Sequence, residues 1–371
     1  MKKGLRIFSA LLVIFLLLSG CDFSLTPENK NGEAAMRPNI IENYQLKVFL
    51  QEQDDRAKEN LYALYYAVAN FEATCYLPYP MPQERVHSLL TLLCYECPEL
   101  FQIDLTKPTT YHSYEGQNDV IAVDFPYCME KAAYDTLLAA ARQALSQFDT
   151  RGMTLPEAEK YIYDILCRQI TYNATTPHSA NVYGALVEKQ AKCDGIAKAM
   201  KWAMESAGFP CMCVDGQPYD GGIGHAWNIL AIDGHYYHLD LTSDVQSETH
   251  HEPLYPAYNV SADFMLSVYA TGTCFTIPEE HSMAASYHAL QGNFFPAGAN
   301  WKSAVKKLFK EAYQKGSAFT VQFETRTDFD TCNKSLEDLF REAARELGIH
   351  HWSWNTTYIE LYHLLNVRVQ K

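Results

Sequence analysis

The chain has 371 residues, enough for two or three domains, and its 48% hydrophobic and 20% charged residues are typical of a folded body. Its formal net charge is −14, from 44 acidic against 30 basic residues. Nucleic acid needs a basic surface to meet its phosphates, so this balance argues against a protein that binds nucleic acid.

The first 20 residues predict an export signal. Three basic residues lie close to the start: Lys2, Lys3 and Arg6. They precede a run of 12 residues, 7–18, that is apolar except for one serine. A membrane-spanning helix needs about 20 residues, so this run is too short to span and fits the apolar core of a signal peptide.

A cysteine follows that run in the sequence Leu-Ser-Gly-Cys21. This sequence resembles a bacterial lipobox, which implies cleavage before Cys21 and attachment of lipid to its sulfur. The alternative is an ordinary secretory signal with a chance cysteine. With the lipid, the exported protein would be anchored to the outer face of a bacterial cytoplasmic membrane or would face the periplasm. The polar residues 21–42 are expected to form a flexible tether.

Eleven cysteines in an exported chain raise the question of disulfides. Setting aside Cys21 for lipid and Cys193 for chemistry leaves nine, an odd number that cannot all pair. Cys94 and Cys97 have the spacing of a redox or zinc pair. Their helical context favours two core residues one turn apart.

Residues 43–150 predict an N-terminal α/β accessory domain. Apolar residues recur at helical spacing over 61–71 and 86–93, a strand is indicated at 120–125, and a further helix at 132–145. We find no catalytic pattern here, and packing or substrate positioning is the expected role.

The segment 151–290 begins with a helix whose Thr154 and Glu157 form a capping box, each satisfying a free backbone donor of the other. A second helix is predicted from Cys193 to about residue 207. Strands are expected next, at 211–214, 224–232 and 235–242, with a glycine-rich loop over 215–224. Cys211 and Cys213 share one face of the first of these strands and are expected in the core.

Asp233 and Gly234 form a strong two-residue hairpin signal between the last two strands. A two-residue turn pairs the residues on either side of it, and counting outward places His225 opposite Thr242. Side chains alternate between the faces of a strand, so Asp240 lies on the same face as His225, as its diagonal neighbour. An imidazole and a carboxylate can therefore meet.

The tail, residues 300–371, predicts a small C-terminal α/β module. A helix is indicated at 301–313 and a strand at 319–323. Ser335 and Asp338 bracket the expected start of a second helix. Residues 359–369 read as a further strand. The tail carries no catalytic pattern.

The chemistry is concentrated around Cys193. The start of a helix carries partial positive charge and free N–H groups, both of which favour a thiolate. A cysteine, a histidine and a carboxylate are the parts of a thiol nucleophile, its base and the group that orients the base. The backbone N–H of Cys193 is a candidate oxyanion donor, and Gln190 is a candidate for the second donor.

Four motifs occur in this segment in a fixed order. They are Lys192-Cys-Asp-Gly-Ile-Ala-Lys-Ala199, Gly208-Phe-Pro-Cys-Met-Cys-Val-Asp-Gly216, His225-Ala-Trp-Asn228 and His238-Leu-Asp-Leu-Thr242. In order and spacing they resemble the bacterial transglutaminase-like superfamily. The resemblance implies a papain-like α+β core, a helix followed by an antiparallel sheet. It also implies that Cys193 is the nucleophile, His225 the base and Asp240 the orienting acid.

Trp227 and Asn228, from the His-x-Trp-Asn motif, are assigned supporting roles at this site. Lys192 departs from the pattern, because many relatives have a small or apolar residue there. Its charge could favour the thiolate or merely face solvent.

The resemblance implies attack of a thiolate on an amide carbonyl, which gives an acyl-thioester. We expect hydrolysis of a peptide or isopeptide bond in cell-wall or extracellular material, with a peptide or protein as substrate and no cofactor. The alternatives are a cross-linking transglutaminase and a non-catalytic, surface-anchored binding module on the same fold. A metal enzyme is disfavoured, since His235 and His238 would point to opposite faces of a strand.

Overall fold

The computed structural model describes residues 41–219, 221–246, 252–272 and 274–370. The predicted signal peptide, the lipid site at Cys21 and nearly all of the tether lie outside the described residues. In the described part of the chain, no helix combines the length and the apolar character needed to cross a membrane.

Helices and strands alternate irregularly along the described residues. The helices there are α1 (Val48–Gln51), α2 (Asp55–Ala69), α3 (Gln83–Glu96), α4 (Lys131–Leu145), α5 (Leu155–Gln169), α6 (Cys193–Ser206), α7 (Thr242–Gln246), α8 (Ala262–Leu266), α9 (Tyr287–Leu290), α10 (Lys302–Lys315) and α11 (Arg326–Leu347). The strands are β1 (Thr74–Pro82), β2 (Thr110–Ser113), β3 (Asp119–Asp124), β4 (Thr171–Tyr172), β5 (Gln190–Ala191), β6 (Cys211–Pro218), β7 (His225–Ile232), β8 (His235–Leu239), β9 (Tyr269–Thr271), β10 (Phe294–Phe295), β11 (Ala318–Phe323), β12 (Ser353–Ile359) and β13 (Leu364–Gln370).

The N-terminal part is a small antiparallel sheet with helices beside it. Its strand order is β1-β3-β2, and α2 and α3 bury their apolar faces next to it. The predicted strand and helix after residue 119 are confirmed as β3 and α4. In α3, Cys97 is buried just beyond the last turn and Cys94 is partly buried, and both are free thiols. The predicted core position is confirmed for Cys97 and only in part for Cys94, which packs against the edge of the core.

The central part pairs one helix with an antiparallel sheet, as predicted. Helix α6 packs on a sheet with the order β8-β7-β6-β9. Cys211 and Cys213 are fully buried, as expected. The capping box of α5 is present, with the backbone N–H of Thr154 donating to Glu157 at 2.8 Å. The predicted α+β class, a helix followed by an antiparallel sheet, is confirmed.

The glycine-rich loop predicted at 215–224 is shorter than expected. Strand β6 continues to Pro218 because it pairs on both sides, with β7 up to the pair Gly216–His225 and with β9. Glycine suits this strand position because the Trp227 ring lies against it. A Cβ at Gly216 would lie 2.8 Å from that ring.

The C-terminal part is a four-stranded sheet with the order β10-β11-β13-β12, covered by α10 and α11. The predicted helix start at Ser335 and Asp338 is wrong. Helix α11 begins nine residues earlier at Arg326, where Thr325 caps it, and Ser335 donates to the Thr331 carbonyl inside the helix.

The strand predicted at 359–369 is confirmed from Leu364 onward and is wrong over residues 360–363. A short turn, Glu360–Tyr362, separates β13 from β12, which ends at Ile359, and His363 takes the left-handed conformation that completes the turn.

Apolar cores cross from one part of the chain to another. One cluster joins the helices before residue 100 to the central sheet, and a second joins α4 to α5 and α6. A third is confined to residues 295–369. Because the first cluster also contains Tyr362, the central sheet is packed against residues that precede it and residues that follow it in the sequence.

Candidate active site

Cys193 is the first residue of α6, as predicted, and is 6% exposed. Lys192, the residue before it, has an extended backbone, and the Lys192 N–H donates to the Ser179 carbonyl at 2.9 Å. The loop at Ser179 can approach this turn of the helix because residue 195 is a glycine. A Cβ at Gly195 would lie 2.4 Å from the Ser179 carbonyl oxygen. The thiol therefore lies at a helix N-terminus that is held in place by the preceding loop.

The hairpin that carries the histidine has the predicted turn. Ile232 pairs with His235, and both Asp233 and Gly234 have positive φ, 52° and 84°. This matches the predicted two-residue turn, which requires left-handed residues.

The pairing does not continue outward to His225 and Thr242, contrary to the prediction. The ladder between β7 and β8 ends at Asn228–Leu239, because Asp240 turns away to donate its N–H to Ala257 at 2.8 Å. Thr242 instead begins α7.

His225 and Asp240 nevertheless meet, as the prediction required. The Nε2 atom of His225 lies 3.0 Å from Oδ2 of Asp240, and His225 also hydrogen-bonds the side chain of Cys193. Because Nε2 faces the carboxylate, Nδ1 is the ring nitrogen left for the thiol. The structure thus brings together the three residues in the order thiol, imidazole, carboxylate.

The imidazole and the carboxylate are electrostatically matched. Burial by itself lowers the pKa of His225, but the charge and hydrogen bond of Asp240 and the contact with Cys193 outweigh it and raise this pKa to about 10. Burial raises the pKa of Asp240, but His225, the Tyr362 hydroxyl and the Thr242 N–H outweigh it and hold that pKa below its ordinary value. An imidazolium beside a carboxylate is therefore the favoured state at neutral pH.

Trp227 supports the histidine ring. It stacks near His225 with centroids 6.2 Å apart, and its Nε1 donates to Nδ1 of His238 at 2.8 Å. Burial lowers the pKa of His238 to about 3, so this imidazole stays neutral and can accept. The His225 ring also stacks on Tyr269, with centroids 5.0 Å apart, and Tyr269 in turn lies 5.3 Å from the Trp227 ring.

Asn228 connects the helix to the sheet. Its amide donates to the carbonyls of Ala197 in α6 and Met212 in β6, at 2.9 and 3.1 Å. This side chain fixes the distance between the helix that carries the thiol and the strand that carries the histidine.

Gln190 lies at the surface three residues before Cys193, and its Oε1 accepts from Asn173 at 2.9 Å. Its oxyanion role stays a prediction. Lys192 pairs with Asp194 at 2.8 Å. It also feels the charge of Cys193, so it borders the site rather than facing only solvent.

Two tyrosines that sequence reasoning missed belong to this arrangement. Tyr269 stacks on His225, and Tyr362 donates its hydroxyl to Oδ2 of Asp240 at 2.6 Å. Tyr362 lies 122 residues after Asp240, and no local pattern marks it. Among the described residues, no group of three or more histidine, cysteine or acidic side chains is arranged to hold a metal ion.

Comparison with known proteins supports the resemblance of the central segment. Residues 142–241 match the profile of the Transglutaminase-like superfamily, and this segment contains Cys193, His225 and Asp240. Comparison with curated protein sequences gives no match.

Several solved structures share a local likeness. A structure described as a TGase has a TM-score of 0.27 and 12% identity, covering 38% of this chain and 46% of that one. A protein from Cytophaga hutchinsonii, provisionally named a cysteine protease, has a TM-score of 0.25 and 12% identity, and the match covers 36% of this chain and 61% of that one. Menin, in a structure that reveals its binding site for the Mixed Lineage Leukemia protein, has a TM-score of 0.26 and 17% identity. The match covers 59% of this chain and 53% of that one.

This chain thus spans about half to three fifths of each of these structures. At these TM-scores the likeness adds no functional information. The profile match rests on the segment that carries the thiol, the imidazole and the carboxylate. Residues 142–241 therefore form a transglutaminase-like segment of this chain.

Proposed function

We propose that this protein is a thiol-dependent amidohydrolase that forms an acyl-thioester on Cys193. The observation that carries this proposal is the hydrogen-bonded row of Cys193, His225 and Asp240 at the N-terminus of α6. In it Cys193 is the nucleophile, His225 the general acid and base, and Asp240 the group that orients the imidazole.

The first half-reaction breaks the amide. The Cys193 thiolate attacks the carbonyl carbon, and the oxyanion is stabilised by the backbone N–H of Cys193, with Gln190 as the candidate second donor. The His225 imidazolium then gives its proton to the leaving nitrogen. The C–N bond breaks, the amine departs, and an acyl-thioester remains on the enzyme.

The second half-reaction releases the acyl group. Neutral His225 takes a proton from water, and the resulting hydroxide attacks the thioester carbonyl. The C–S bond breaks, the carboxylic acid leaves, and the thiolate and imidazolium are restored. Water is favoured over a protein amine as acceptor because Cys193 is only 6% exposed and the His225 side chain 14%. A small acceptor reaches such a thiol most easily.

We further propose that the substrate is a peptide or isopeptide bond in cell-wall or extracellular material. The support is the N-terminal sequence, which predicts export and a lipid anchor at Cys21 on the outer face of a bacterial cytoplasmic membrane or facing the periplasm. An anchored enzyme with a short polar tether would act on material close to that surface.

Selective alkylation tests the thiol chemistry. Burial raises the pKa of the nine other cysteines in the described residues: Cys75, Cys94, Cys97, Cys128, Cys167, Cys211, Cys213, Cys274 and Cys332. Few of them are thiolates near neutral pH, so iodoacetamide should label Cys193 first, as read by peptide mass spectrometry. The His225→Ala variant should lose this selectivity. If Cys193 labels no faster than the other nine, the proposed chemistry is wrong.

A second assay separates hydrolysis from transfer. The protein is incubated with peptides released from peptidoglycan, and separately with a glutamine-containing peptide plus a dansylated amine. We expect new free carboxylates and no dansyl incorporation, both absent in Cys193→Ala. Dansylated product as the main species would identify a cross-linking enzyme instead.

A further inference from the structure

The turn between β12 and β13 inserts a tyrosine into the central domain. Tyr362 is fully buried, and it belongs to the core cluster of the central sheet rather than to the C-terminal cluster. Gln322 ties this turn down, because its amide donates to the carbonyls of Pro256 and Tyr362 at 2.6 and 3.1 Å. The tyrosine is thus held from both the C-terminal and the central parts of the chain.

The Tyr362 hydroxyl meets the carboxylate that orients His225. Oδ2 of Asp240 accepts from Tyr362 at 2.6 Å and from His225 at 3.0 Å, and Oδ1 accepts the Thr242 N–H at 2.9 Å. The hydroxyl also hydrogen-bonds Tyr269, whose ring stacks on His225. One buried hydroxyl therefore contacts two of the side chains that support the imidazole, Asp240 and Tyr269.

We propose that Tyr362 is a positioning residue of the active site, fixing the Asp240 carboxylate so that His225 is held against Cys193. The C-terminal module is then part of the active site. This inference rests on the function proposed above. A carboxylate turns easily about its last torsion, and donors on both oxygens remove that freedom.

The charge balance gives the inference a measurable consequence. Burial and the charge of Asp240 raise the pKa of Tyr362 well above its ordinary value, so the phenol remains a donor. Losing this donor raises the pKa of Asp240, because one of the groups that stabilises its charged form is gone. The carboxylate then takes up a proton at higher pH, and His225 loses its counter-charge there.

Other titratable groups border this carboxylate. Asp244 in α7 and Tyr163 in α5 interact electrostatically with the Asp240 carboxylate. His225 and Tyr362 hydrogen-bond it directly. Tyr362→Phe removes the Tyr362 hydroxyl and substitutes none of the other groups, so a change in pH dependence can be assigned to that hydroxyl.

A second tyrosine–aspartate pair offers a matched control. Tyr163 is fully buried and donates to Oδ2 of Asp244 at 2.7 Å, and Asp244 also accepts the N–H groups of Leu254 and Tyr255. The pair repeats the hydrogen-bonding pattern of Tyr362 and Asp240, but His225 does not bind this carboxylate. Tyr163→Phe therefore removes a comparable hydrogen bond from the fold without removing one from the carboxylate that orients His225.

The test follows alkylation of Cys193 by iodoacetamide across the pH range in the full chain, with unfolding in urea measured alongside. A hydrogen bond to a charged group is worth about 1.5–3 kcal/mol, which corresponds to roughly ten- to a hundredfold. We expect Tyr362→Phe to move the low-pH edge of labelling to higher pH by about one to two pH units, since about 1.4 kcal/mol corresponds to one pKa unit. Tyr163→Phe should keep the wild-type profile, although both variants lose stability.

Fluorotyrosine at position 362 keeps the ring and makes the hydroxyl a stronger donor, so it serves where Tyr362→Phe does not fold. It should move the low-pH edge to lower pH. The inference about Tyr362 is wrong if neither Tyr362→Phe nor fluorotyrosine moves the low-pH edge of labelling, or if Tyr163→Phe moves it equally. Either result would leave the proposed function standing. A wild-type Cys193 without enhanced reactivity overturns the proposed function, and this inference with it.

Discussion

A buried ionic network fixes the helix of the nucleophile to the N-terminal part. Lys201 of α6 is fully buried, and its ammonium lies 3.0 Å from Glu96 of α3 and 2.8 Å from Glu205. It also donates to the Cys211 carbonyl at 2.6 Å. Lys47 completes the network, 2.7 Å from the other oxygen of Glu205.

Replacing Lys201 with methionine should destabilise the fold by about 3–5 kcal/mol near pH 8, the usual cost of removing one partner of a buried ion pair. Glu205 keeps Lys47, whereas Glu96 loses its contact with a lysine. Burial already raises the pKa of Glu96 even with Lys201 present, so in the variant its charged form is still less favourable. A carboxyl whose pKa is raised on folding destabilises the fold at high pH, and this penalty disappears as the pH falls.

Urea unfolding, followed by tryptophan fluorescence near pH 8 and near pH 5.5, tests this reasoning. The loss in free energy of unfolding caused by Lys201→Met should be smaller near pH 5.5 than near pH 8. The double variant Lys201→Met, Glu96→Met should recover most of the loss, because apolar replacement of a whole buried pair is often neutral. Lys306→Met is the surface control, since Lys306 pairs with the exposed Glu342, and it should change little. A single variant as stable as the wild type, or a double variant with the same deficit, would refute the reasoning.

Two further predictions concern the site itself. The raised pKa of His225, about 10 against an ordinary 6.5, stabilises the fold fully below pH 6.5, and this contribution is lost as the pH rises through about 10. Thermal melts should therefore show the gap between wild type and His225→Gln narrowing over that range, and a constant gap would contradict the assigned pKa. Glycine to alanine inside a helix ordinarily stabilises by about 0.5–1 kcal/mol. Gly195→Ala should instead lower the melting temperature and slow Cys193 alkylation, because its Cβ would lie 2.4 Å from the Ser179 oxygen; a higher melting temperature would show that the loop can move aside.

The parts of the site that could be predicted are those that neighbouring residues determine. The turn at Asp233 and Gly234 follows from two residues that accept positive φ, and the start of α6 at Cys193 follows from apolar spacing. His225 and Asp240 do meet, but not through the strand register counted for them, because the ladder ends at Asn228 and Leu239, before either residue. The predicted outward pairing failed because a hydrogen bond from the Asp240 N–H to the Ala257 carbonyl redirects the chain after β8.

The parts that could not be predicted depend on contacts between distant segments. Lys47 and Glu205 are 158 residues apart, and Tyr362 and Asp240 are 122 apart. A lysine and a tyrosine in otherwise ordinary helix and turn sequences give no sign that they will be buried against charged partners. The misplaced start of α11 has a different cause, since Ser335 satisfies its hydroxyl within the helix and so gave a false signal of a cap.

Some of these distant contacts supply partners for buried polar groups of the matched segment, residues 142–241. Within residues 142–241, α6 presents the thiol at its first residue and two buried charges, Lys201 and Glu205, further along. Within the described residues of the segment these two charges have only each other, which leaves their burial costly, and Glu96 and Lys47, which also pair with them, lie before the segment. Tyr362, which donates to the buried Asp240 carboxylate, lies after it. Both flanks therefore supply polar partners that the matched segment lacks, and a substitution in either flank can alter the reactivity of Cys193 while the three residues of the site stay unchanged.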